Sequence, residues 1–260
     1  MNRGKPRFDC PLGNQEQKSN MKKIKLFTLL TALVVFSKAC VSIDFDGVSP
    51  DNETEVYDLG SFTELDLGSA FEVVVVPSSE FKVTATGSST NLNDLNVRVV
   101  NNTLKVSYYN RNIFRPVSRN KMELLIEMPE LKEADISGAA TVYIEDFDYF
   151  STLKLDLGGA SKVTLDVEVG DLDVDISGAS TVTLKRGVPV LSADLSGASK
   201  LNAYDADSEE AYLKLSGASK ANVSVAEYLK VDASGASTVN YRGLPRIDQD
   251  LSGASKVKKN

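Results

Sequence analysis

The chain has 260 residues, 42% of them hydrophobic and 25% charged, and it contains neither His nor Trp. Because His supplies the usual general base at neutral pH and the commonest transition-metal ligand, an enzyme built on this chain would depend on carboxylates, Lys, Tyr or Ser, and we expect no metal site and no cofactor. The net charge is −7, and residues 1–39 hold eight of the 29 basic residues but two of the 36 acidic ones, so the acidic remainder should repel nucleic acid.

Residues 21–39 have the layout of a secretory signal peptide. Lysines follow Met21, an apolar stretch of eleven residues covers 26–36, and Ser37 and Ala39 place small side chains at −3 and −1 before Cys40. Eleven residues are too few to cross a bilayer, which takes about 20. The polar residues 1–20 fit no part of such a signal, so we interpret them as an upstream mis-start.

Cleavage just before Cys40 resembles the lipobox of bacterial lipoproteins, in which the sulfur of that cysteine is acylated. Lys38 at −2 is unusual for a lipobox, and ordinary secretion is the alternative. Residues 40–57 are acidic and show little periodicity, which predicts a tether between a membrane and a folded domain. We therefore expect an exported lipoprotein, anchored in the outer membrane through its lipid alone and facing either the periplasm or the outside.

From residue 58 onward apolar and polar residues alternate, as in "DLDVDISGASTVTLKR", which is typical of strands with one buried face. A phrase close to Ser-Gly-Ala-Ser recurs, and its Ala falls at 139, 160, 179, 198, 218, 236 and 254. Spacings of 18–21 residues indicate a solenoid, and with strands this short each repeat is one coil. The prediction for 58–260 is an all-β, single-chain parallel β-solenoid, or β-helix.

The repeated phrase is interpreted as the corner of each coil rather than as a site. A tight bend needs a residue that tolerates positive φ, and small Ala and Ser side chains let adjacent coils approach at strand spacing. This accounts for every copy without a ligand, and no serine among the copies is singled out as a nucleophile. The predicted corner glycines are Gly138, Gly158, Gly178, Gly197, Gly217, Gly235 and Gly253.

The earlier half of the domain is predicted to form degenerate coils of the same kind. "LGSAF" at 67–71 and "ATGSS" at 85–89 stand where corners would fall. Residues 110–120 contain three Arg and one Pro and break the alternation, so we expect a loop there.

Equivalent positions of a solenoid stack into rows along its outside. An acidic row precedes the corners and a basic row follows them, with Lys214 interrupting the first. These rows are candidate contacts for Ca²⁺ or a polysaccharide, but solvated charged faces, with pairing across the corner, are the favoured interpretation. Their members are Asp135, Asp156, Asp175, Asp194, Asp232 and Asp250 in the acidic row, and Lys162, Lys200, Lys220 and Lys256 in the basic row.

Three stretches together resemble the head GIN domain family of auto-transporter adhesins. They are "DLGSFTELDLGSAFEVVVVPSSEFKVTATG", "ELLIEMPELKEADISGAATV" and the serial SGAS corners, and the resemblance covers roughly 58–255. It implies a β-helix akin to the pectin-lyase-like solenoids, an envelope protein of the Bacteroidetes type and a role in adhesion. The family brings no agreed catalytic residues.

The function expected from these observations is non-catalytic binding or scaffolding at the cell envelope, with a cell-surface glycan or protein as partner. One alternative is a carbohydrate-active enzyme, for which Arg111, Arg115 and Arg119 would be candidates to hold an anionic substrate. A second alternative is an inert structural spacer. The sequence does not specify an oligomeric state.

Overall fold

The structure, a computed structural model, describes residues 52–109 and 120–260. This part of the chain folds into β-strands and one short helix, and hydrogen bonds join the strands into a single wound sheet. The alternation of the sequence explains the winding, because in each strand one parity of side chains is buried and the other faces outward. The predicted all-β parallel solenoid is confirmed.

Seven strands and the helix precede the regular coils. Their bounds are β1 Asn52–Asp58, β2 Glu64–Gly68, β3 Phe71–Pro77, β4 Lys82–Ser88, α1 Ser89–Asn93, β5 Leu95–Val100, β6 Thr103–Tyr108 and β7 Met122–Met128. Among the residues described, no helix combines the length and the apolar character that a membrane crossing requires.

The regular coils follow. Their strands are β8 Glu133–Ser137, β9 Thr141–Leu157, β10 Lys162–Ile176, β11 Thr181–Leu184, β12 Val190–Leu195, β13 Lys200–Leu215, β14 Lys220–Ala233, β15 Thr238–Arg242, β16 Arg246–Leu251 and β17 Lys256–Lys259. The first residues of β10 pair with β11 and its last residues pair with β12, both in parallel. One coil therefore contributes one segment to each of two faces.

The two faces are named by their position relative to the corner. The front face consists of the segments that lead into a corner, which are β6, β2, β8, residues 152–157 and 171–176, β12, residues 210–215 and 228–233, and β16. The back face consists of the segments that follow a corner, which are β4, β7, β3, residues 141–145 and 162–165, β11, residues 200–203 and 220–224, β15 and β17.

The core lies between the two faces and changes in character along the stack. Fully buried aromatic and methionine side chains lie in the first part of the domain, among them Phe62, Phe71 and Met122. The later coils bury Leu, Ile, Val and Ala side chains, such as Leu191, Leu201 and Ala211. The front and back faces of those coils are consequently held together mainly by aliphatic side chains.

The N-terminal end of the domain differs from the predicted degenerate coils. β4 runs antiparallel to β7, β1 runs antiparallel to β4, and β5 forms an antiparallel hairpin with β6. The stretch 85–89, predicted as a corner, instead ends β4 and begins α1, whose N-terminus is capped by the Ser88 side chain accepting from the Asn91 N–H. Leu92 of α1 joins the core, so the helix covers apolar side chains at this end.

The predicted tether also ends earlier than residue 57. Residues 52–58 form β1, whose backbone pairs with β4 over seven residue pairs, and Thr54 is hydrogen-bonded to Thr86 through their hydroxyl groups. The acidic composition misled the prediction, because an edge strand with charged, exposed side chains resembles a tether in sequence. The signal peptide, Cys40 and the arginine-containing loop at 110–119 lie outside the described residues.

The corners owe their shape to one glycine each. The glycines with positive φ in the repeated phrase are Gly138, Gly159, Gly178, Gly197, Gly217, Gly235 and Gly253. In the "LGGAS" copy this residue is Gly159 and not the predicted Gly158, which takes the place that Ser occupies in other copies. A Cβ at Gly178 would lie 2.4 Å from the carbonyl oxygen of Gly159 in the coil before it, so both φ and the close stacking require glycine.

Candidate functional site

The serines of the corner phrase have structural roles. The Ala179 N–H donates to the Gly159 carbonyl at 2.8 Å, and the same bond recurs from coil to coil. The second serine of the phrase points inward: Ser161, Ser219 and Ser237 are buried, and each hydroxyl donates to the carbonyl three residues earlier. These buried hydroxyls close the bend and are not exposed to a substrate, so the second serine of the phrase has a structural role.

The predicted acidic row is continuous in the structure and runs along the front face. Each aspartate stands opposite its counterpart in the next coil, at the inter-strand spacing of about 4.8 Å. The row is longer than predicted, because Asp66 of β2 pairs in register with Asp135 and Lys105 of β6 pairs with Asp66. In order the row reads Lys105, Asp66, Asp135, Asp156, Asp175, Asp194, Lys214, Asp232 and Asp250.

Cations relieve the acidic row at its N-terminal end. The Lys105 Nζ lies 2.5 Å from an Asp66 carboxylate oxygen, and the Lys154 Nζ lies 2.8 Å from Asp156 and 3.2 Å from Glu133. Lys154 lies two residues before Asp156 in β9, so both side chains are on the outer side of the strand. The Lys154 side chain extends along the face to the Asp156 carboxylate. Nothing in the sequence beyond the alternation itself predicts this pairing.

Carboxylates further along the row have mainly other carboxylates as neighbours. Partial burial, followed by the charges of Asp66 and Asp156, raises the pKa of Asp135. Partial burial also raises the pKa of Asp175, assisted by a hydrogen bond with Asp156 and by the charges of its acidic neighbours. The acidic row is therefore a surface on which negative charge is held at an electrostatic cost.

The predicted basic row lies on the back face, on the other side of the corner. Thr141, Lys162, Thr181, Lys200, Lys220, Thr238 and Lys256 pair in register, and Glu72 precedes them. The expected pairing of the two rows across the corner is not observed: within residues 120–260, no ion pair joins a member of one row to a member of the other. The two rows thus act as separate surfaces.

The front face holds a depression at the coils formed by β10, β12, β13 and β14. Its volume is about 370 Å³, and its floor is the strand containing Ser192 and Ala193. Ser192 is in register with Asp173 on one side and with Tyr212 on the other, so a short side chain lies between two longer ones and creates the hollow. The lining comprises Asp173, Asp175, Ser192, Ala193, Asp194, Tyr212, Leu213, Lys214, Lys230 and Asp232.

The aromatic side of the depression is held in place by its neighbours. The Tyr212 hydroxyl donates to a Glu210 carboxylate oxygen at 2.5 Å, which raises the pKa of Tyr212. Tyr228 packs edge-on against Tyr212, with ring centroids 5.9 Å apart. The ring orientation is therefore fixed before any ligand arrives.

The depression contains three groups that the sequence predicted and several that it did not. Asp175, Asp194 and Asp232 come from the predicted acidic row, and Lys214 is the residue that interrupts it. Tyr212, Lys230 and Ser192 were missed, because they belong to a second outward row in which the residue type changes from coil to coil. One feature of the sequence could have indicated these residues. Lys214 interrupts the acidic row, and the aromatic residue Tyr212 stands two positions before it.

Metal binding receives no support from the described part of the chain. Over residues 52–109 and 120–260, no group of three or more acidic side chains has an arrangement that could hold a metal ion. Aspartates at strand spacing point outward in parallel and do not converge on one point, which Ca²⁺ coordination requires. The acidic row is thus better suited to making many weak contacts than to binding one ion.

A family profile matches most of the chain. The family described as "Putative auto-transporter adhesin, head GIN domain" matches residues 61–245. None of the curated proteins is similar enough to this chain to count as a match. The matched range contains the front-face depression and all but the last of the predicted corners.

Solved structures of similar fold come from Bacteroides and Parabacteroides species. A "putative adhesin" from Bacteroides fragilis NCTC 9343 is 22% identical with a TM-score of 0.69, over 82% of this chain and 99% of that one. A "putative adhesin" from Parabacteroides merdae ATCC 43184 is 18% identical with a TM-score of 0.66, over 81% and 97%. A "putative lipid binding protein" from Parabacteroides distasonis ATCC 8503 is 15% identical with a TM-score of 0.65, over 81% and 97%. At these identities the likeness concerns the fold.

Proposed function

The chain belongs to the head GIN domain family of auto-transporter adhesins, and from this premise we propose that it is a non-catalytic binding protein of the bacterial cell envelope. The observation that carries the proposal is the front face, a long outer surface on which charged side chains recur at strand spacing. Such a surface makes many contacts with an extended partner, as the faces of other solenoid proteins do. The partner is a glycan or a protein at a cell surface.

Export and anchoring complete the proposal. Residues 21–39 act as the signal peptide, and the Cys40 sulfur carries the lipid that holds the protein in the outer membrane. Support comes from the layout of this segment and from the adhesin family. A single acyl chain binds a membrane only marginally, so stable anchoring requires more than one chain on the same cysteine.

Labelling cells with a clickable fatty acid tests the anchor. We expect label on the wild-type protein and none on Cys40→Ala, with the variant released from the membrane fraction. An unlabelled wild-type protein would contradict lipidation while leaving the binding function open.

Carbohydrate cleavage is the less favoured candidate. In the described coils the connections at the corners are short and uniform, and the hollow at Tyr212 is shallow, whereas polysaccharide lyases and hydrolases build a cleft from long loops on one coil. Arg111, Arg115 and Arg119, the candidates for an anionic substrate, lie outside the described residues. The spacer alternative predicts a surface without binding.

Binding and turnover measured together separate these candidates. Fluorescently labelled protein is incubated with bacterial cells and with isolated envelope polysaccharides, and soluble products are followed by chromatography. We expect saturable binding without release of oligosaccharides. Product release would favour the enzyme, and absence of binding to any surface would favour the spacer.

A further inference from the structure

The depression around Tyr212 differs from the other front-face hollows in its side chains and not in its volume, since two more of about 340 and 330 Å³ lie on that face. It lies at the coil where the acidic row changes from Asp194 to Lys214, and where the neighbouring outward row presents a tyrosine. Its volume of about 370 Å³ falls near the lower end of small-ligand sites, which span about 300–1,000 Å³. The hollow is thus large enough for a small part of a larger ligand.

The charged groups of the depression are available to a ligand. Within residues 120–260, neither the Lys214 nor the Lys230 ammonium group takes part in an ion pair, although aspartates stand beside both in the adjacent coils. By contrast, Lys105 and Lys154 are each paired with a carboxylate of the same face. Ammonium donors and carboxylate acceptors therefore point into the same hollow without satisfying each other.

The chemistry of the lining selects among ligand classes. Four carboxylates and two ammonium groups surround one exposed phenol ring and one hydroxyl, so a lipid chain would desolvate charges without pairing them. The excess of carboxylates repels polyanions. A neutral sugar satisfies both requirements, because its hydroxyls donate to carboxylates and accept from ammonium groups while its C–H face packs on an aromatic ring.

We propose that this depression binds one or two pyranose rings of a neutral glycan. In this arrangement the sugar lies over Ser192 with its apolar face against the Tyr212 ring. Asp175 and Asp194 accept hydrogen bonds from vicinal hydroxyls, and Lys214 and Lys230 donate to others. The proposal rests on the proposed binding function and assigns it to a particular part of the front face.

The pre-set geometry of Tyr212 favours this occupant. The hydroxyl of the ring is held by Glu210 and its back by Tyr228, so a sugar stacks on the ring without the cost of ordering it. The inter-coil spacing of about 4.8 Å is similar to the width of a pyranose ring, so one ring spans neighbouring strands. Further sugar units of the same glycan would lie along the solenoid axis, over the acidic row.

Calorimetric titration of the full-length protein with neutral oligosaccharides tests the proposal. The probes are gluco-, manno- and galacto-oligosaccharides of three to six units, with oligogalacturonate as the anionic comparison. We expect binding of at least one neutral series and none of oligogalacturonate. Tyr212→Ala should weaken binding about tenfold or more, and Ser192→Arg should abolish it by filling the hollow.

A matched control distinguishes this site from general changes. Tyr149 is 58% exposed and lies outside the depression, so Tyr149→Ala removes an exposed ring of the same kind and should bind as the wild type does. Melting temperatures of all three variants should match that of the wild type, because each altered side chain is on the surface. Equal losses in Tyr149→Ala and Tyr212→Ala, or no binding of any neutral series, would overturn the proposal.

Cell binding separates failure of the site from failure of the proposed function. We expect the protein to lose binding to cells after periodate oxidation of their vicinal diols and to keep it after protease treatment. Binding that survives periodate but not protease, or that is unchanged in Tyr212→Ala, overturns the glycan site and leaves an envelope-binding protein. No binding of the wild type to any cells overturns the proposed function, while the calorimetric result still decides the site.

Discussion

The part of the domain before residue 129 and the coils after residue 132 enclose their apolar cores with different strand arrangements and different side chains. The first part mixes antiparallel and parallel strands, includes α1, and buries Phe62, Phe71 and Met122. The later coils are parallel throughout, turn at the same corner each time, and bury mainly aliphatic side chains such as Leu213 and Ala211. Regular repetition requires that every coil have a similar cross-section, and aliphatic residues at equivalent positions meet that requirement.

The difference explains how the stack begins. A parallel coil with no neighbour exposes unpaired backbone groups and the inner edge of its core. At the N-terminal end, β1 and β4 add antiparallel strands carrying Glu53, Glu55 and Lys82, and α1 places Leu92 against the core. Terminal units that differ from the repeat are what repeat proteins need for solubility. The irregular part is thus a cap on the regular part.

The largest effect expected from this comparison concerns the bulky core of the cap. Phe62 is fully buried and packs against Phe81 with ring centroids 5.3 Å apart, so Phe62→Ala should lower the free energy of unfolding by about 3–5 kcal/mol. Val231→Ala, in the aliphatic core of the later coils, removes two carbons and should cost about 2 kcal/mol. Urea denaturation measures both. Equal losses would mean that the two cores do not differ energetically.

The second effect concerns the corners, and its sign depends on the position of the glycine within the corner. Gly178→Ala forces a side chain into positive φ and within 2.4 Å of the Gly159 oxygen, and should cost about 2–4 kcal/mol. Gly68, at the corner between β2 and β3, has space for a Cβ, whose nearest contact would be the Ser137 Oγ at 3.5 Å. Gly68→Ala should therefore be neutral or stabilise by up to about 1 kcal/mol.

Thermal unfolding of the two corner variants, alongside Gly158→Ala, provides the measurement. Gly158 also has room for a Cβ, with the Ser177 Oγ at 3.8 Å, and should behave as Gly68 does. A melting temperature for Gly178→Ala as high as that of Gly158→Ala would show that the corner tolerates any small residue.

The third effect concerns a ladder of amides on the back face of the later coils. The Asn222 Nδ2 donates to Asn202 Oδ1 at 3.0 Å, and the Asn240 Nδ2 donates to Asn222 Oδ1 at 2.9 Å. Asn222→Val removes both bonds and leaves a buried amide of Asn240 without its acceptor, which should cost about 1–2 kcal/mol. In the cap the same row contains Val74, so Val74→Asn should also destabilise, for lack of amide neighbours.

Chemical denaturation of the Asn222→Val and Val74→Asn proteins tests whether both substitutions lower the free energy of unfolding. Asn222→Gln, which keeps the amide but lengthens the side chain, serves as the control for loss of the functional group. Stability of Asn222→Val equal to that of the wild type would show that the ladder contributes nothing net.

The smallest effect concerns the acidic row. The folded-state pKa of Asp175 is raised, so the folded protein binds protons more tightly than the unfolded chain, and this group should add stability as the pH falls through its folded-state pKa toward the lower pKa of the unfolded chain. Asp175→Asn should stabilise the protein at pH 7 by about 0.2–1 kcal/mol and reduce this pH dependence. Asp66→Asn loses the ion pair with Lys105 and should not stabilise.

Melting temperatures recorded from pH 4 to pH 7 for the wild type, Asp175→Asn and Asp66→Asn decide this point. A wild-type protein whose melting temperature falls steadily with acidification over that range, with the same slope in Asp175→Asn, would show that repulsion along the row is negligible.

Much of this architecture could be predicted from sequence because the same pattern of residues occurs in every repeat. The alternation identified the strands, the recurring glycine identified the corners, and the spacing placed Asp156, Asp175 and Asp194 in one row, where the structure has them. Each copy of the phrase strengthens the same inference. The exception, Gly158 in place of Gly159, arose where two glycines are adjacent and the spacing alone does not choose between them.

The sequence by itself determined the periodic features, since strand parity, corner shape and coil length follow from local rules that each repeat satisfies alone. Only the tertiary structure decided the direction of β1, β4 and β5, because an antiparallel strand and a parallel one share the same alternation. It also decided that Ser192, Tyr212 and Lys230 surround one hollow. These residues are about twenty positions apart along the chain, and only the stacking of coils brings them to the same hollow.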